Sequence, residues 1–208
     1  VLPREDPRDA LIAPGYATIA DLPPGITVGT ASLRRKALLL HQRPDLKVEP
    51  LRGNVDTRLG KVSAGEVDAT FLALAGLIRL GRDDVGATPV APEEMLPAVC
   101  QGIVGVERRA DDDRIAALLA PLNDAETARR AAAERHLLAG LDGSCRTPIA
   151  ALAEITDDEV YLRAAIVRPD GSELIEAERR GTVDDAALLG DDAAEELRGR
   201  AGEGFFDE

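Results

Sequence analysis

The stretch ITVGTASLRRKALLLHQRPDLKVEPLRGNVDTRLGKVSAGEVDATFLAL, residues 26–74, decides the fold. Ile26 to Thr30 follows the turn Asp21-Leu-Pro-Pro-Gly25 and reads as a short strand. Ser32 to His41 reads as a helix, with Thr30 or Ser32 as its cap and Pro44 as its stop. Leu46 to Leu51 alternates as a strand does. Val55 to Ala64 reads as a second helix, ended near Gly65, and Asp68 to Leu74 is a continuous apolar run of the kind a buried strand shows. The order strand, helix, strand, helix, strand predicts right-handed crossovers and a mainly parallel α/β layer.

Outward from this stretch the pattern changes. Residues 3–9, PREDPRD, form a proline-punctuated polar link. A further strand is expected at Ile103 to Glu107 and a helix at Arg114 to Ala120. Asn123 with Glu126 is a capping box for a helix reaching about Ala139, and Gly140 and Gly143 then open a tight loop that holds Cys145. Three strands follow, Ala150 to Ile155, Val160 to Val167 and Glu173 to Arg180. The turns Asp157-Asp158 and Pro169-Asp170-Gly171 join them as an antiparallel meander, and an amphipathic helix from Asp184 to Arg200 can cover it. This is a second, smaller α+β unit.

Composition narrows the function. The chain has 208 residues, 45% apolar and 30% charged, enough for one large or two small domains around a buried core. No apolar run approaches the ~20 residues a membrane span requires. Two cysteines are too few for a disulfide framework and fit a reducing cytoplasm. Acids outnumber bases 38 to 25, a net charge of −13, which argues against a general nucleic-acid binder. The bases are nevertheless concentrated: residues 29–82 hold Arg34, Arg35, Arg52, Arg58 and Arg79 among them, whereas the last quarter of the chain is strongly acidic. Arginine grips carboxylate or phosphate through two parallel donors, so a basic segment in an acidic chain suits a small polyanion; a solvated surface is the plainer alternative. A chain that opens at Val1 rather than Met is expected to be a fragment.

Three constellations can carry chemistry. Gly29-Thr-Ala-Ser-Leu-Arg-Arg35 is a strand-to-helix turn whose free N–H groups, with Thr30 and Ser32 hydroxyls, favour an anion. Arg34 and Arg35 in a first helical turn oppose the helix dipole unless an anion lies nearby. An ordinary capped helix with exposed arginines explains the same residues. Leu51-Arg-Gly-Asn-Val-Asp-Thr-Arg58 is a second such junction, and two junctions in one parallel sheet bring their loops to the edge where open α/β sheets bind ligands. Arg79 leaves the same edge, and the spacing permits all five arginines to converge, although surface ion pairs explain each singly. Leu141-Asp-Gly-Ser-Cys145-Arg-Thr-Pro148 places a cysteine in a turn rather than in a core pattern. Arg146 favours its thiolate and Asp142 opposes it. The scattered His41 and His136 support neither a Cys-His protease nor a zinc site.

The ordered motifs GTASLRR, LRGNVDTRL, LALAGLIRLG, LPAVCQG and LDGSCRTPIA resemble the porphobilinogen deaminase (hydroxymethylbilane synthase) family over essentially the whole chain. The resemblance implies a periplasmic-binding-protein-like α/β domain plus a smaller α+β domain with a three-stranded antiparallel sheet. The expected boundaries are a link at 1–7, a second α/β domain at 8–98, a return segment of an otherwise absent first domain at 99–122, and a C-terminal cofactor-anchoring domain at 123–208. It implies a transferase that condenses four molecules of porphobilinogen head to tail, with release of ammonia, into hydroxymethylbilane for tetrapyrrole (haem, chlorophyll, corrin) synthesis. A covalent dipyrromethane cofactor is expected as a thioether on Cys145. Arg34, Arg35, Arg52, Arg58 and Arg79, with Thr30 and Ser32, are expected to hold the carboxylates of cofactor and substrate. No metal is implied. The family's catalytic aspartate is expected upstream of Val1, so the isolated chain is expected to be inactive. A cytoplasmic protein, monomeric at full length, is implied, with neither nucleic acid nor membrane as partner. Ser144 and Arg146 replace the commoner Gly and Gln beside the anchor, and Cys100 replaces a common Gly before Gln101. A non-catalytic polyanion-binding module of the periplasmic-binding-protein kind is the alternative; it accounts for the arginines and leaves Cys145 without a role.

Overall fold

The computed structural model describes residues 1–143 and 147–207. Strands β1 (Asp9–Ile12), β2 (Thr27–Gly29), β3 (Lys47–Glu49), β4 (Ala69–Ala73) and β5 (Thr88–Pro89) form one sheet in the order β3-β2-β4-β1-β5. Helices α1 (Leu33–Gln42), α2 (Val55–Ser63) and α3 (Leu74–Arg79) belong to this first unit. A short helix, α4 (Asp113–Leu119), precedes the second unit. There α5 (Ala125–Gly140) and α6 (Ala186–Ala201) cover the antiparallel sheet β6 (Ile149–Thr156), β7 (Glu159–Val167), β8 (Leu174–Thr182). This is the expected α/β unit joined to a smaller α+β unit. Among the described residues no helix is long and apolar enough to cross a membrane.

The first sheet is mixed rather than mainly parallel. β2 runs parallel to β3 and β4, but β1 pairs antiparallel with both β4 and β5. Asp9–Ile12 is the missed element: it follows directly on the prolines of the link, and its four residues are too few to show a period. The reversal has a positional consequence. Asp9 pairs with Ala73, so the start of β1 lies at the carboxyl ends of β2, β3 and β4.

Three other expectations change. Residues 103–107 do not form a strand; their segment is tied to the N-terminal link through Leu2 N–H to Val104 O and Glu5 N–H to Gly102 O, and has no ladder to join. The cap of α5 is Asp124, whose carboxylate accepts from the Thr127 N–H at 2.7 Å, while Asn123 accepts from the terminal amine. Leu74, read as the end of a strand, instead opens the helix Leu74–Arg79, because the chain turns at once where β4 ends at Ala73.

The two units share a core. Along β6 and β7 every residue from Ile149 to Ala153 and from Ala164 to Val167 is buried. Side chains of a strand alternate between faces. Ile149, Ala151, Ala153, Ala164 and Ile166 therefore meet α5 and α6, while Ala150, Ala165 and Val167 meet Leu38, Leu39 and Phe71 of the first unit. With an aromatic content of 2%, close approach replaces bulk. At Gly190 a Cβ would lie 2.2 Å from the Ala133 carbonyl oxygen, so α5 and α6 can touch only without it.

The β7–β8 turn adds a second joint. Gly171 has φ +79°, and a Cβ there would lie 2.6 Å from the His41 backbone nitrogen at the end of α1. The His41 Nδ1–H donates to the Gly171 carbonyl at 2.9 Å. Gly171→Ala should lower the unfolding free energy by about 1–3 kcal/mol in urea titration, from left-handed strain and lost docking. Gly15→Ala, with φ +87° but open space around it, is the control and should lose less.

Candidate functional site

The site is built at the carboxyl edge of β2 and β3. Gly29 ends β2 against Leu51, where a Cβ would lie 2.9 Å from that side chain. Thr30 is buried, its N–H donates to Glu49 O at 2.8 Å, and its hydroxyl accepts from the Ser32 N–H at 3.2 Å. Ser32 caps α1 by accepting from the Arg35 N–H. In α2, Asn54 caps by accepting from the Thr57 N–H at 2.8 Å, which turns Arg58 back so that its Nε–H donates to Gly53 O.

Arg34 and Arg35 are not surface arginines. They are 4% and 7% exposed, and both grip Asp9, which is fully buried. Arg34 Nη2 donates to Asp9 Oδ2 at 2.7 Å; Arg35 Nε and Nη2 donate to Oδ1 at 3.0 and 2.7 Å. Arg34 Nη1 also donates to Leu96 O at 2.7 Å and Arg35 Nη1 to Phe71 O at 2.9 Å. The anion that two arginines in a first helical turn require is thus supplied by the chain itself. Burial pushes the Asp9 carboxyl up, but the two guanidiniums outweigh it and hold the group below the usual carboxylate range. Burial pulls Arg34 down from its ordinary value.

One carboxylate does not satisfy the whole group. The Arg34 Nε–H is buried and has no hydrogen-bond partner among the described residues. Burial and the charge of Arg35 both lower the Arg58 pKa. Ser32, Arg34 and Arg58 line a cavity of about 370 Å³ between the units, closed by Ala98, Val99, Leu138, Thr147 and Ile149. Leu138 and Thr147 lie on either side of the loop that carries Cys145, and Cys145 itself falls outside the described residues. The structure therefore brings Ser32, Arg34 and Arg58 to one cavity, with Thr30 and Arg35 behind them. Arg52 and Arg79 are exposed and do not line it.

Sequence reasoning missed Asp9, Gln101 and the buried pair of Arg4 with Glu134. Asp9 lay in the segment taken for a link. The usable signal was the demand of Arg34-Arg35 for an anion. Glu134 carried no signal, since it sits in a helix of alanines and charges that reads as solvated.

A mixed α/β sheet, a small antiparallel unit and an arginine-walled cavity at their junction define a two-unit cleft protein with a cationic site. The family model described as "Porphobilinogen deaminase, dipyromethane cofactor binding domain" matches residues 1–117, and "Porphobilinogen deaminase, C-terminal domain" matches residues 128–199. The chain belongs to the porphobilinogen deaminase family. It is 58% identical over 206 residues to the porphobilinogen deaminase of Paracoccus denitrificans, covering 99% of this chain and 66% of that protein. It is 56% identical over 205 residues to that of Nitrobacter winogradskyi, covering 99% of this chain and 65% of the relative. The chain thus spans just under two thirds of the length of these relatives.

Replacing Asp9 by Asn should cost about 3–5 kcal/mol at neutral pH, because two buried guanidiniums lose their counter-charge. A carboxyl with a depressed folded pKa stabilises above its unfolded pKa and ceases to do so as pH falls through the folded value. The difference in unfolding free energy between wild type and Asp9→Asn should therefore be full above about pH 4 and narrow below it. Chemical denaturation at several pH values measures the gap.

Proposed function

We propose that this protein acts as a hydroxymethylbilane synthase, condensing four porphobilinogen molecules head to tail with release of ammonia. The observation that carries the reading is the charge imbalance at the cavity: three guanidiniums, Arg34, Arg35 and Arg58, meet Asp9 as the one carboxylate bonded to any of them among the described residues. An excess of buried positive charge beside an unpartnered Arg34 Nε–H calls for an anionic ligand. Each ring of an oligopyrrole made from porphobilinogen carries two carboxylates, which fits this donor set.

Within that reading, Arg34 and Arg58 hold carboxylates directly, Ser32 offers its hydroxyl at the same wall, and Arg35 keeps Asp9 and Arg34 in place. Arg52 and Arg79, exposed on the same unit, are assigned to the more distal carboxylates of a longer chain, and Thr30 to holding the loop. Cys145 would hold a dipyrromethane as a thioether, and the group would supply a covalent primer that spares the protein from rebinding its chain. In the sequence Cys145 falls between Leu138 and Thr147, both of which line the cavity, and this supports reading it as the tether. The domain reading is a link at 1–7, an α/β domain at 8–98, a return segment at 99–122 and an anchoring domain at 123–208. The exposed Val106, Leu118 and Leu122 along the return segment are consistent with a face that packs against a further domain. The catalytic carboxylate is assigned to that further domain, and the 208-residue chain alone is read as inactive. A cytoplasmic monomer acting on a small molecule, apart from nucleic acid and membrane, completes the reading.

Mass spectrometry of the purified full-length protein tests it. A two-ring pyrrole adduct on Cys145, absent after Cys145→Ser, is expected; an unmodified thiol in protein that still binds porphobilinogen would favour the non-catalytic binding module. Arg58→Gln should weaken porphobilinogen binding about tenfold by removing charge-assisted hydrogen bonds. Calorimetric titration reads this loss, and an unweakened affinity would remove Arg58 from the site.

A further inference from the structure

Gln101 lies in a turn that the backbone makes against its preferences. Cys100 before it has φ +59°, a left-handed value unfavourable for a residue with a side chain. Gly102 after it has φ +85°, and a Cβ there would lie 2.4 Å from the Glu5 carbonyl oxygen. Such a turn persists only where its surroundings hold it.

Two buried ion clusters do so. On one side the Cys100 N–H donates to Glu134 Oε2 at 2.5 Å. Glu134 is fully buried, accepts from the Ala153 N–H at 2.8 Å, and pairs with Arg4 at 2.6 Å. The Arg4 Nε–H then donates to the Gln101 carbonyl at 3.0 Å. On the other side the Gln101 side-chain amide donates to Pro7 O at 2.7 Å and to Asp9 Oδ1 at 3.1 Å. Gln101 is thus bonded through its carbonyl to the Arg4–Glu134 cluster and through its amide to the Asp9–Arg34–Arg35 cluster.

We propose that Gln101 is a positioning residue: its side-chain amide fixes the Asp9 carboxylate that, with Arg35 behind it, aims Arg34 at the cavity, and its backbone carbonyl ties that aim to the Arg4–Glu134 pair. A carboxylate turns about one soft torsion, so two arginines alone leave it free to trade oxygens between them. The Gln101 amide, held on Pro7 O as well, makes Oδ1 distinct from Oδ2. The guanidiniums then inherit an orientation set by the N-terminal segment and by α5, which carries Glu134. The ligand half of this proposal rests on the cavity binding carboxylates; the geometric half does not.

The test uses the 208-residue chain in two readouts. In Gln101→Leu, hydrogen exchange at the Arg35 Nε–H, followed by NMR, should quicken about tenfold or more as Asp9 loosens, while the melting transition stays cooperative. Affinity for porphobilinogen should fall by a similar factor. In Gln101→Glu the introduced carboxyl faces Asp9, Arg34 and Arg35 on one side and Arg4, Glu134 and the Cys100 thiol on the other. Protonated, it can donate to Asp9 as the amide does; ionised, it repels it. Its affinity relative to wild type should therefore be low near pH 8 and recover as the pH falls toward about 4. Unchanged Arg35 exchange in Gln101→Leu, or a Gln101→Glu deficit that is the same at both pH values, overturns the proposal. If wild type binds no porphobilinogen, the carboxylate reading of the cavity fails, and Arg35 exchange still decides the positioning role.

Discussion

Asp9 is the point on which the first unit turns. It is a fully buried carboxylate at the start of a reversed strand, and it receives hydrogen bonds from Arg34, Arg35 and Gln101. Without it, two guanidiniums at the head of α1 would face the positive end of their own helix in a desolvated place, which is costly on both counts. With it, the arginines are pinned to the sheet through Phe71 O and to the 92–98 segment through Leu96 O, and α1 is fastened at its first turn. A buried ion pair is rarely the cheapest way to stabilise a fold, and well-packed apolar residues often do as well. Its value here lies in orientation. The pair fixes Arg34 at the wall of a cavity, and a hydrophobic substitute could not.

The same economy appears in the second unit. Glu134, in the middle of α5, is bonded by Arg4, by the Cys100 N–H and by the Ala153 N–H. Residues from four distant parts of the chain meet on this one carboxylate. Burial raises its pKa, and Arg4 with the two backbone donors only partly reverses the effect. Burial and Glu134 together also raise the nearby Cys100 thiol to about 11, so that this cysteine is held in its unreactive form. Two carboxylates, each closed by arginine, therefore stand on either side of Gln101. Apolar contacts of β6 and β7 with α1 and β4 join the units, and the polar clusters add directed bonds between distant segments.

Much of the architecture was legible in the chain. The three-stranded meander, the covering helix and both strand-to-helix junctions followed from alternation, caps and turn residues, and their observed bounds differ by a residue or two. The errors have physical causes. β1 is four residues long and fully buried, so it shows no alternation. The 103–107 segment has strand-like composition but no neighbouring ladder, and β-propensity without a partner does not make a strand. Asn123 and Asp124 are both competent caps, and the helix starts one residue later than the capping box implied, on Asp124.

The site divides along the same line. The residues alone pointed to Arg34, Arg35 and Arg58 near helix starts on one sheet edge, since consecutive strand-to-helix junctions of a parallel pair share an edge, but they left surface ion pairs as an equal explanation. They also predicted a turn around Cys145 after a long helix, and that turn falls outside the described residues. Only the tertiary structure decided which guanidiniums face a cavity and which are held by a carboxylate of the chain itself. That choice depends on where a reversed strand delivers Asp9. Periodicity reports which face of an element is apolar, but it is silent on which polar atoms meet across a gap between distant segments.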